Sequence, residues 1–287
     1  MLRPRLLPWT QTLQAPAGRI GLLAALSLLA TSPAAALAGP AGETAPLQMS
    51  PAPSPEPPAC AVASSSRPLP LPAGALLQPA SGSSATATHP SNDYRQRLSR
   101  TALGWPRLDR WCVWLEPASG AAAATLWEQR WRQASLQALQ RWQAVLPIEL
   151  VADPAAAQIH IYRRRPPRQP GADGRLRASH GRATLQLLEV TRAGSARLEP
   201  RVEVLLSPGQ RPQASEATAL HELGHAFGLW GHSEQAADAM AAVPGAVPVL
   251  ELSRRDLATV RWLYAQPTRF GQPQPADQLQ EAGAIRP

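Results

Sequence analysis

The sequence lacks lysine altogether, so each of its 28 basic residues is an arginine, and it contains only two cysteines. The arginines are scattered rather than interleaved with aromatic residues, which argues against a nucleic-acid-binding protein despite the formal net charge of +8. The main apolar run covers only residues 20–31, whereas a membrane-spanning helix needs about 20 apolar residues. We therefore expect neither a nucleic acid nor a membrane as a stable partner of the folded protein.

The amino-terminal segment has the three-part layout of a secretory signal peptide. Three arginines precede the apolar run, and Ala36 and Ala38 follow it as the small residues of a cleavage site. We expect residues 1–38 to be removed during export, which predicts a secreted protein, periplasmic or extracellular. The alternative is an uncleaved segment that anchors the protein in the membrane.

Composition divides the rest of the chain into three parts. Residues 39–92 are rich in Pro, Ala and Ser, cannot bury a core, and are predicted to be a disordered linker or a pro-segment. Residues 93–266 are predicted to form the folded catalytic domain, and residues 267–287 a flexible tail. Cys60 in the linker and Cys112 in the domain could pair as a disulfide in an oxidising compartment.

Hydrophobic periodicity and cap residues predict an α/β domain. Thr125 and Glu128 form a capping box at the start of the first helix, and Ser253 is a good N-cap for the last one. The predicted strands are 110–117, 147–151, 157–163, 180–190 and 201–207, and the predicted helices are 125–146, 215–227 and 253–265.

The stretch HELGH, residues 221–225, carries residues typical of a zinc hydrolase. Positions i and i+4 of a helix lie on one face, so His221 and His225 are predicted to bind one metal ion. Imidazole is a good zinc ligand, and Glu222 is predicted to act as general base toward a water molecule on the ion. Gly228 accepts a positive φ at low cost, so it is predicted to end the helix and turn the chain back.

These residues resemble the motif of the metzincin zinc peptidases, H-E-x-x-H-x-x-G-x-x-H followed by a Met-turn. The sequence departs from that motif because Gly231 stands at the position of the third histidine and His232 follows one residue later. Three interpretations are open. His232 is the third ligand after a longer turn, Glu234 or Asp238 is the ligand instead, or the site binds no metal.

The residues after the motif favour His232. In the matrixin branch of the metzincins, a serine follows the third histidine and the Met-turn methionine comes eight residues after that histidine; Ser233 and Met240 keep both spacings relative to His232. The extra residue therefore lies within 229–231, and Gly231 is expected to supply the flexibility that absorbs it. The resemblance also implies that Met240 forms an apolar floor beneath the metal.

The resemblance to the matrixins spans residues 105–265 and implies a fold. The expected fold is a metzincin-like α/β (α+β) catalytic domain with three helices and a twisted, mostly parallel five-stranded sheet that has an antiparallel edge strand. The edge strand, residues 180–190, would pair with an extended peptide. Residues 242–251 would wall the pocket for the residue after the cut.

The resemblance implies one catalytic Zn²⁺ ion. Calcium binding stays open, because the Asp- and Gly-rich calcium loops of animal matrixins are not evident. A second, structural zinc on His160 and His180 is an alternative to ordinary surface or core roles for these residues. We expect a monomer.

The sequence thus predicts a secreted zinc-dependent endopeptidase that cleaves protein or peptide substrates, with Glu222 as base and the three histidines as ligands. Two other interpretations stay open. One is an exported binding or scaffold protein that keeps this fold without activity. The other is a non-metzincin zinc hydrolase whose third ligand is Glu234, Asp238 or Glu251.

Overall fold

The computed structural model describes residues 60–69, 78–79, 92–120, 125–170 and 174–274. The predicted signal peptide, most of the predicted linker and residues 275–287 of the predicted tail lie outside the described residues. All described residues belong to one compact unit, Ser54–Pro287. No helix in the described ranges has both the length and the apolar character needed to cross a bilayer.

From residue 110 onward, the main elements follow the predicted order. The described strands are Ser65–Pro68 (β1), Gln78–Pro79 (β2), Ser99–Arg100 (β3), Trp111–Leu115 (β4), Ile148–Leu150 (β5), Ile159–Tyr162 (β6), Gln169–Pro170 (β7), Leu176–Arg177 (β8), Gly181–Arg192 (β9) and Ser195–Leu206 (β10). The α-helices are Leu126–Gln143 (α1), Pro212–Ala226 (α2) and Arg254–Tyr264 (α3). Both predicted N-caps are confirmed, since the Thr125 and Ser253 hydroxyls each accept a bond from a backbone N–H in a capping box.

Six of the described strands form one sheet in the order β1-β9-β10-β6-β4-β5. β10, β6, β4 and β5 are parallel, whereas β9 runs antiparallel to both of its neighbours. The prediction of a mixed α/β fold with a mostly parallel sheet and three helices is confirmed, but the predicted number of five strands is wrong.

The sixth strand, β1, comes from a stretch that composition predicts to be disordered. Its sequence, SSRP, has no hydrophobic alternation. It is held instead by pairing with β9 and by a disulfide between Cys60 and Cys112. The disulfide that the sequence left open is therefore present, and the predicted disorder is wrong for residues 60–69.

The strand predicted to lie at the sheet edge, residues 180–190, is only partly an edge. β1 pairs with Leu188–Thr191 of β9, so in the described part of the chain the outer edge of β9 is open only from Gly181 to Gln186. β9 also continues past its predicted end at residue 190 and stops at Arg192. The chain turns back directly after it, where Ala193 and Gly194 have φ values of 48° and 75°. A two-residue turn of this kind joins β9 and β10 as a long hairpin.

Helix α2 packs against β9, β10 and α1. Leu220 and Leu223 of α2 are fully buried in this position. The Trp142 indole of α1 donates to the carbonyl of Leu220 at 3.0 Å, and its ring lies 5.5 Å from that of Phe227. These contacts fix the rotation of α2 about its own axis, and with it the direction of the residues on its opposite face.

The disulfide should contribute substantially to stability, because its cysteines are separated by 52 positions in the chain. We expect the double variant Cys60→Ser/Cys112→Ser to lower the free energy of unfolding by roughly 3–4 kcal/mol. Urea unfolding followed by circular dichroism measures this change. Wild-type protein in reducing agent is the control and should lose the same stability; unchanged stability in both samples would contradict the prediction.

Candidate metal centre

Helix α2 presents His221 and His225 on one face, one turn apart. Their ring centroids lie 4.9 Å apart, as the i and i+4 spacing predicts. The helix ends at Ala226, and Gly228 then adopts a φ of 102°. The predicted role of Gly228 as the helix-ending turn is therefore confirmed.

The segment between Gly228 and His232 is one residue longer than in the motif that the sequence resembles. The N–H of Trp230 donates to the carbonyl of Gly228, and the N–H of Gly231 donates to that of Leu229, both at 2.9 Å. These are two successive three-residue turns, which shorten the path of the chain. His232 is thereby brought to His225, with 3.2 Å between their Nε2 atoms.

Gly231 serves a different purpose from the one its sequence position predicts. Its φ lies outside the left-handed region, whereas an added Cβ would stand 2.1 Å from the carbonyl oxygen of Arg97. The predicted role as a flexible hinge is wrong. Glycine is needed here because the backbone of Arg97 and Leu98 passes directly against it.

The three histidines lie close enough to bind one metal ion, with ligand atoms all within 4.8 Å of one another. Two nitrogens bound tetrahedrally to zinc at about 2.0–2.1 Å stand roughly 3.3 Å apart, close to the separation of His225 and His232. The Nδ1 atom of His221 lies 2.9 Å from the carbonyl of Ala239, and that of His225 lies 2.7 Å from the carbonyl of Leu229. A carbonyl only accepts, so Nδ1 carries the proton in both rings and Nε2 keeps its lone pair for a metal.

Burial favours the neutral form of these imidazoles. Burial and, to a smaller extent, the neighbouring His221 and His232 lower the pKa of His225 to about 3. Burial also lowers the pKa of His221 and of His232. Metal ions bind neutral imidazole, so at neutral pH the three rings are in the form that a metal needs.

The Glu222 side chain of α2 is buried beside the histidines, and it lies against Gly181, the first residue of β9. An added Cβ on Gly181 would stand 2.5 Å from Cγ of Glu222 and 2.6 Å from Cγ2 of Thr218, so only glycine lets β9 approach α2 this closely. Burial raises the pKa of Glu222 to about 7, against the opposing effects of the Ala183 N–H and the charge of Arg182. The carboxyl group can therefore hold or release a proton near neutral pH.

Met240 is fully buried beneath α2. Its sulfur occupies the space where a side chain of Gly224 would lie, because a Cβ added there would stand 2.1 Å from Sδ. The carbonyl of Met240 accepts from the N–H of Ser233 at 2.7 Å, which closes the loop after the third histidine. The position is consistent with the apolar floor that the resemblance implies.

Asp256 supports the site in a way that sequence reasoning missed. Its fully buried carboxylate accepts hydrogen bonds from the N–H of Ala239 at 2.8 Å, from that of Ser253 at 2.9 Å and from the Tyr94 hydroxyl at 2.7 Å. Asp256 thus positions Ala239, whose carbonyl orients His221. The sequence signal, an acid three residues after Ser253, indicates only a helix cap.

The carboxylates proposed as alternative ligands have other partners. Glu234 and Asp238 form ion pairs with Arg255 at 2.7 Å and 3.1 Å, and Glu251 forms one with Arg141 at 2.8 Å. The histidine triad is the one group of three or more suitable side chains found within the described ranges.

His160 and His180, the two histidines outside the triad in the described ranges, have different surroundings. The Nε2 atom of His160 lies 2.9 Å from the carbonyl of Pro154. His180 instead lies in the lining of a cavity next to His221. These positions give no support to a second zinc shared by His160 and His180.

Removing the third histidine should weaken metal binding strongly. We expect His232→Ala to lower the affinity for Zn²⁺ by more than roughly 100-fold, because even loss of an outer partner of a ligand costs about 10–100-fold. Titration with a competing zinc indicator measures the affinity. Glu234→Ala is the matched control and should bind like wild type; if Glu234→Ala loses affinity and His232→Ala keeps it, the ligand assignment is reversed.

The pKa shifts predict that protons compete weakly for the site. In metal-free protein the His225 imidazole should remain neutral at pH 5, since its pKa is lowered from 6.5 to about 3. Its ring proton resonances, followed by NMR between pH 4 and 8, should show no titration near 6.5. Zinc binding should accordingly persist at pH 5.5. A midpoint near 6.5 would show that His225 is exposed to water in solution.

Comparisons with known proteins assign no family to this chain. No protein-family model matches the sequence, and no curated protein matches it either. The functional assignment therefore rests on the residues described above. They are three neutral imidazoles within metal-binding distance, a buried carboxyl group with a raised pKa, and a strand edge beside them with which no described strand pairs.

Proposed function

We propose that this protein is a secreted, zinc-dependent endopeptidase of the metzincin type, related to the matrixins. The observation that carries the proposal is the convergence of His221, His225 and His232 next to the buried carboxyl group of Glu222. The export and the family relationship rest on the sequence features, namely the signal-peptide layout and the spacing of the motif.

Zinc is the metal that fits this donor set best. Three neutral nitrogen donors that leave a fourth coordination position free are typical of catalytic zinc sites. A zinc ion held there would lower the pKa of a water molecule and polarise a peptide carbonyl. The backbone carbonyls of Ala239 and Leu229 keep His221 and His225 in the tautomer that such an ion requires.

Glu222 would act as the general base and then as the general acid. Its buried carboxyl group takes a proton from the attacking water and returns that proton to the amine of the departing peptide. A group that serves both steps works best with a pKa near the working pH. In the metal-free protein burial raises the pKa of Glu222 to about 7, and the positive charge of a bound zinc ion would lower it toward the carboxylate form that acts as base.

A cavity of about 540 Å³ next to His221 and Glu222 would receive a substrate side chain. Its lining includes small α2 residues, Ala214 and Ala217, and several residues of the loop 242–251. This is the loop that the resemblance to the matrixins assigns to the wall of the pocket for the residue after the cut, and its place in the cavity lining supports that assignment. Since most of the lining is apolar, we propose that the pocket takes an apolar residue of the substrate.

Replacing Glu222 should separate metal binding from catalysis. We expect Glu222→Gln to bind Zn²⁺ like wild type but to cleave peptides about 10²–10⁴-fold more slowly, the usual contribution of a positioned base. Cleavage of a peptide library, read by mass spectrometry, measures the activity. Glu216→Gln, another buried acid of α2, is the control and should stay active. Full activity of Glu222→Gln would refute the proposed role.

The close approach of β9 to α2 yields a second prediction. Gly181→Ala places a methyl group 2.5 Å from Cγ of Glu222, so the carboxyl group must move. We expect kcat to fall at least about tenfold while zinc affinity changes little, since a misplaced group loses catalysis rather than metal. Gly194→Ala, in the turn between β9 and β10, is the control, because its Cβ meets no atom within 4 Å and the residue lines neither cavity beside the histidines. Equal activities of the two variants would contradict the prediction.

A further inference from the structure

The outer edge of β9 is divided into a covered and an open part. β1 covers Leu188–Thr191, and the N–H of Leu69 donates to the carbonyl of Leu187 at 2.9 Å. No described strand pairs with the outer edge from Gly181 to Gln186. An open main-chain edge can accept an extended peptide as an additional strand.

The open part ends at the candidate metal centre. Gly181 lies against Glu222, and the N–H of Ala183 bonds to the Glu222 carboxylate. Gly181 and Ala183 also line the same cleft as the three histidines. A peptide paired with this edge would therefore run from the end of β1 to the residues that bind the metal.

The direction in which a bound peptide would run follows from the strands next to β9. β9 is antiparallel to both β1 and β10, and antiparallel pairing is the slightly more stable arrangement. A peptide antiparallel to β9 lies in line with β1 and runs from amino to carboxyl end in the same direction as β1. Its amino end then meets Leu69, and its carboxyl end points past the histidines.

β1 is firmly attached at this place. The Cys60–Cys112 disulfide ties its amino-terminal side to β4, and Arg67 pairs with Glu189 of β9 at 2.6 Å. Pro68, the one proline in β1, has no N–H but does not interrupt the hydrogen bonds between β1 and β9. Because Leu69 bonds to β9 through its N–H, alternation makes the backbone of residue 68 face away from β9.

We propose that β1 limits how much peptide the cleft can hold on the amino-terminal side of the cut. A substrate pairs with β9 only from Gly181 to Gln186, and a longer one must leave the sheet at the end of β1, next to Leu69. The favoured substrates are therefore polypeptides cut close to a free amino end or close to a bend in the chain. This inference rests on the proposed peptidase function.

A series of peptides tests the length limit. Starting from one cleaved peptide, residues are added singly to its amino end, from one to ten before the cut. For wild type we expect kcat/KM to rise by roughly fivefold for each added pair of main-chain hydrogen bonds, then to stay constant beyond six residues. An increase that continues past six residues would overturn the proposal, and extension at the carboxyl end serves as the control series.

Variants of β1 give the matched comparison. Arg67→Pro, combined with Cys60→Ser/Cys112→Ser, removes the disulfide, the ion pair and a main-chain donor that faces β9. The control is Ser66→Pro in the same background, because alternation places the N–H of Ser66 on the side away from β9. We expect longer peptides to gain kcat/KM with Arg67→Pro but not with Ser66→Pro. Identical profiles for Arg67→Pro and wild type would overturn the proposal.

Binding separates this inference from the proposed activity. The same peptide series, fluorescently labelled, is titrated with the Glu222→Gln variant, and Kd is measured by anisotropy. We expect Kd to stop falling beyond six residues. If wild type cleaves no peptide but the length limit appears in Kd, the peptidase assignment fails and the role of β1 stands. If peptides are cleaved and Kd keeps falling, the role of β1 fails and the activity stands.

Discussion

The carboxylate of Asp256 is fully buried and accepts hydrogen bonds from the backbone N–H groups of Ala239 and Ser253 and from the Tyr94 hydroxyl. A buried charge is costly unless it is well hydrogen-bonded, so these groups are held in one arrangement. Tyr94, the loop around Ala239 and the start of α3 come from separate parts of the chain. Because the Ala239 carbonyl orients His221, the tautomer of one of the three candidate metal ligands depends on this single carboxylate.

Much of the site could be predicted from the sequence because its spacing is local. Helical periodicity puts His221 and His225 on one face, and Gly228 ends the helix, with no need for distant contacts. The orienting carbonyls of Ala239 and Leu229 could not be predicted in this way, since every residue has a carbonyl and only the fold selects these two. The space that Gly181 leaves for Glu222 is likewise set by the approach of a strand from elsewhere in the chain.

Two predictions were wrong, the disorder of the segment that contains β1 and the hinge at Gly231, and they have a common physical origin. β1 has no hydrophobic alternation, and its order comes from backbone pairing and a disulfide, neither of which composition reveals. The sequence predicts flexibility at Gly231 because glycine permits it, but the deciding factor is the backbone of Arg97 lying against it. In both cases a partner distant in sequence determines the conformation. Local pattern therefore predicted the elements of the sheet better than it predicted their neighbours.

The bond between Cys60 and Cys112 also affects how the chain matures. A cut at any peptide bond between residues 70 and 92 would leave β1 covalently joined to β4. The product would be a two-chain molecule that keeps its six-stranded sheet, and it would separate into two fragments only after reduction. Processing of this region would thus change the number of polypeptides without removing the strand beside the cleft.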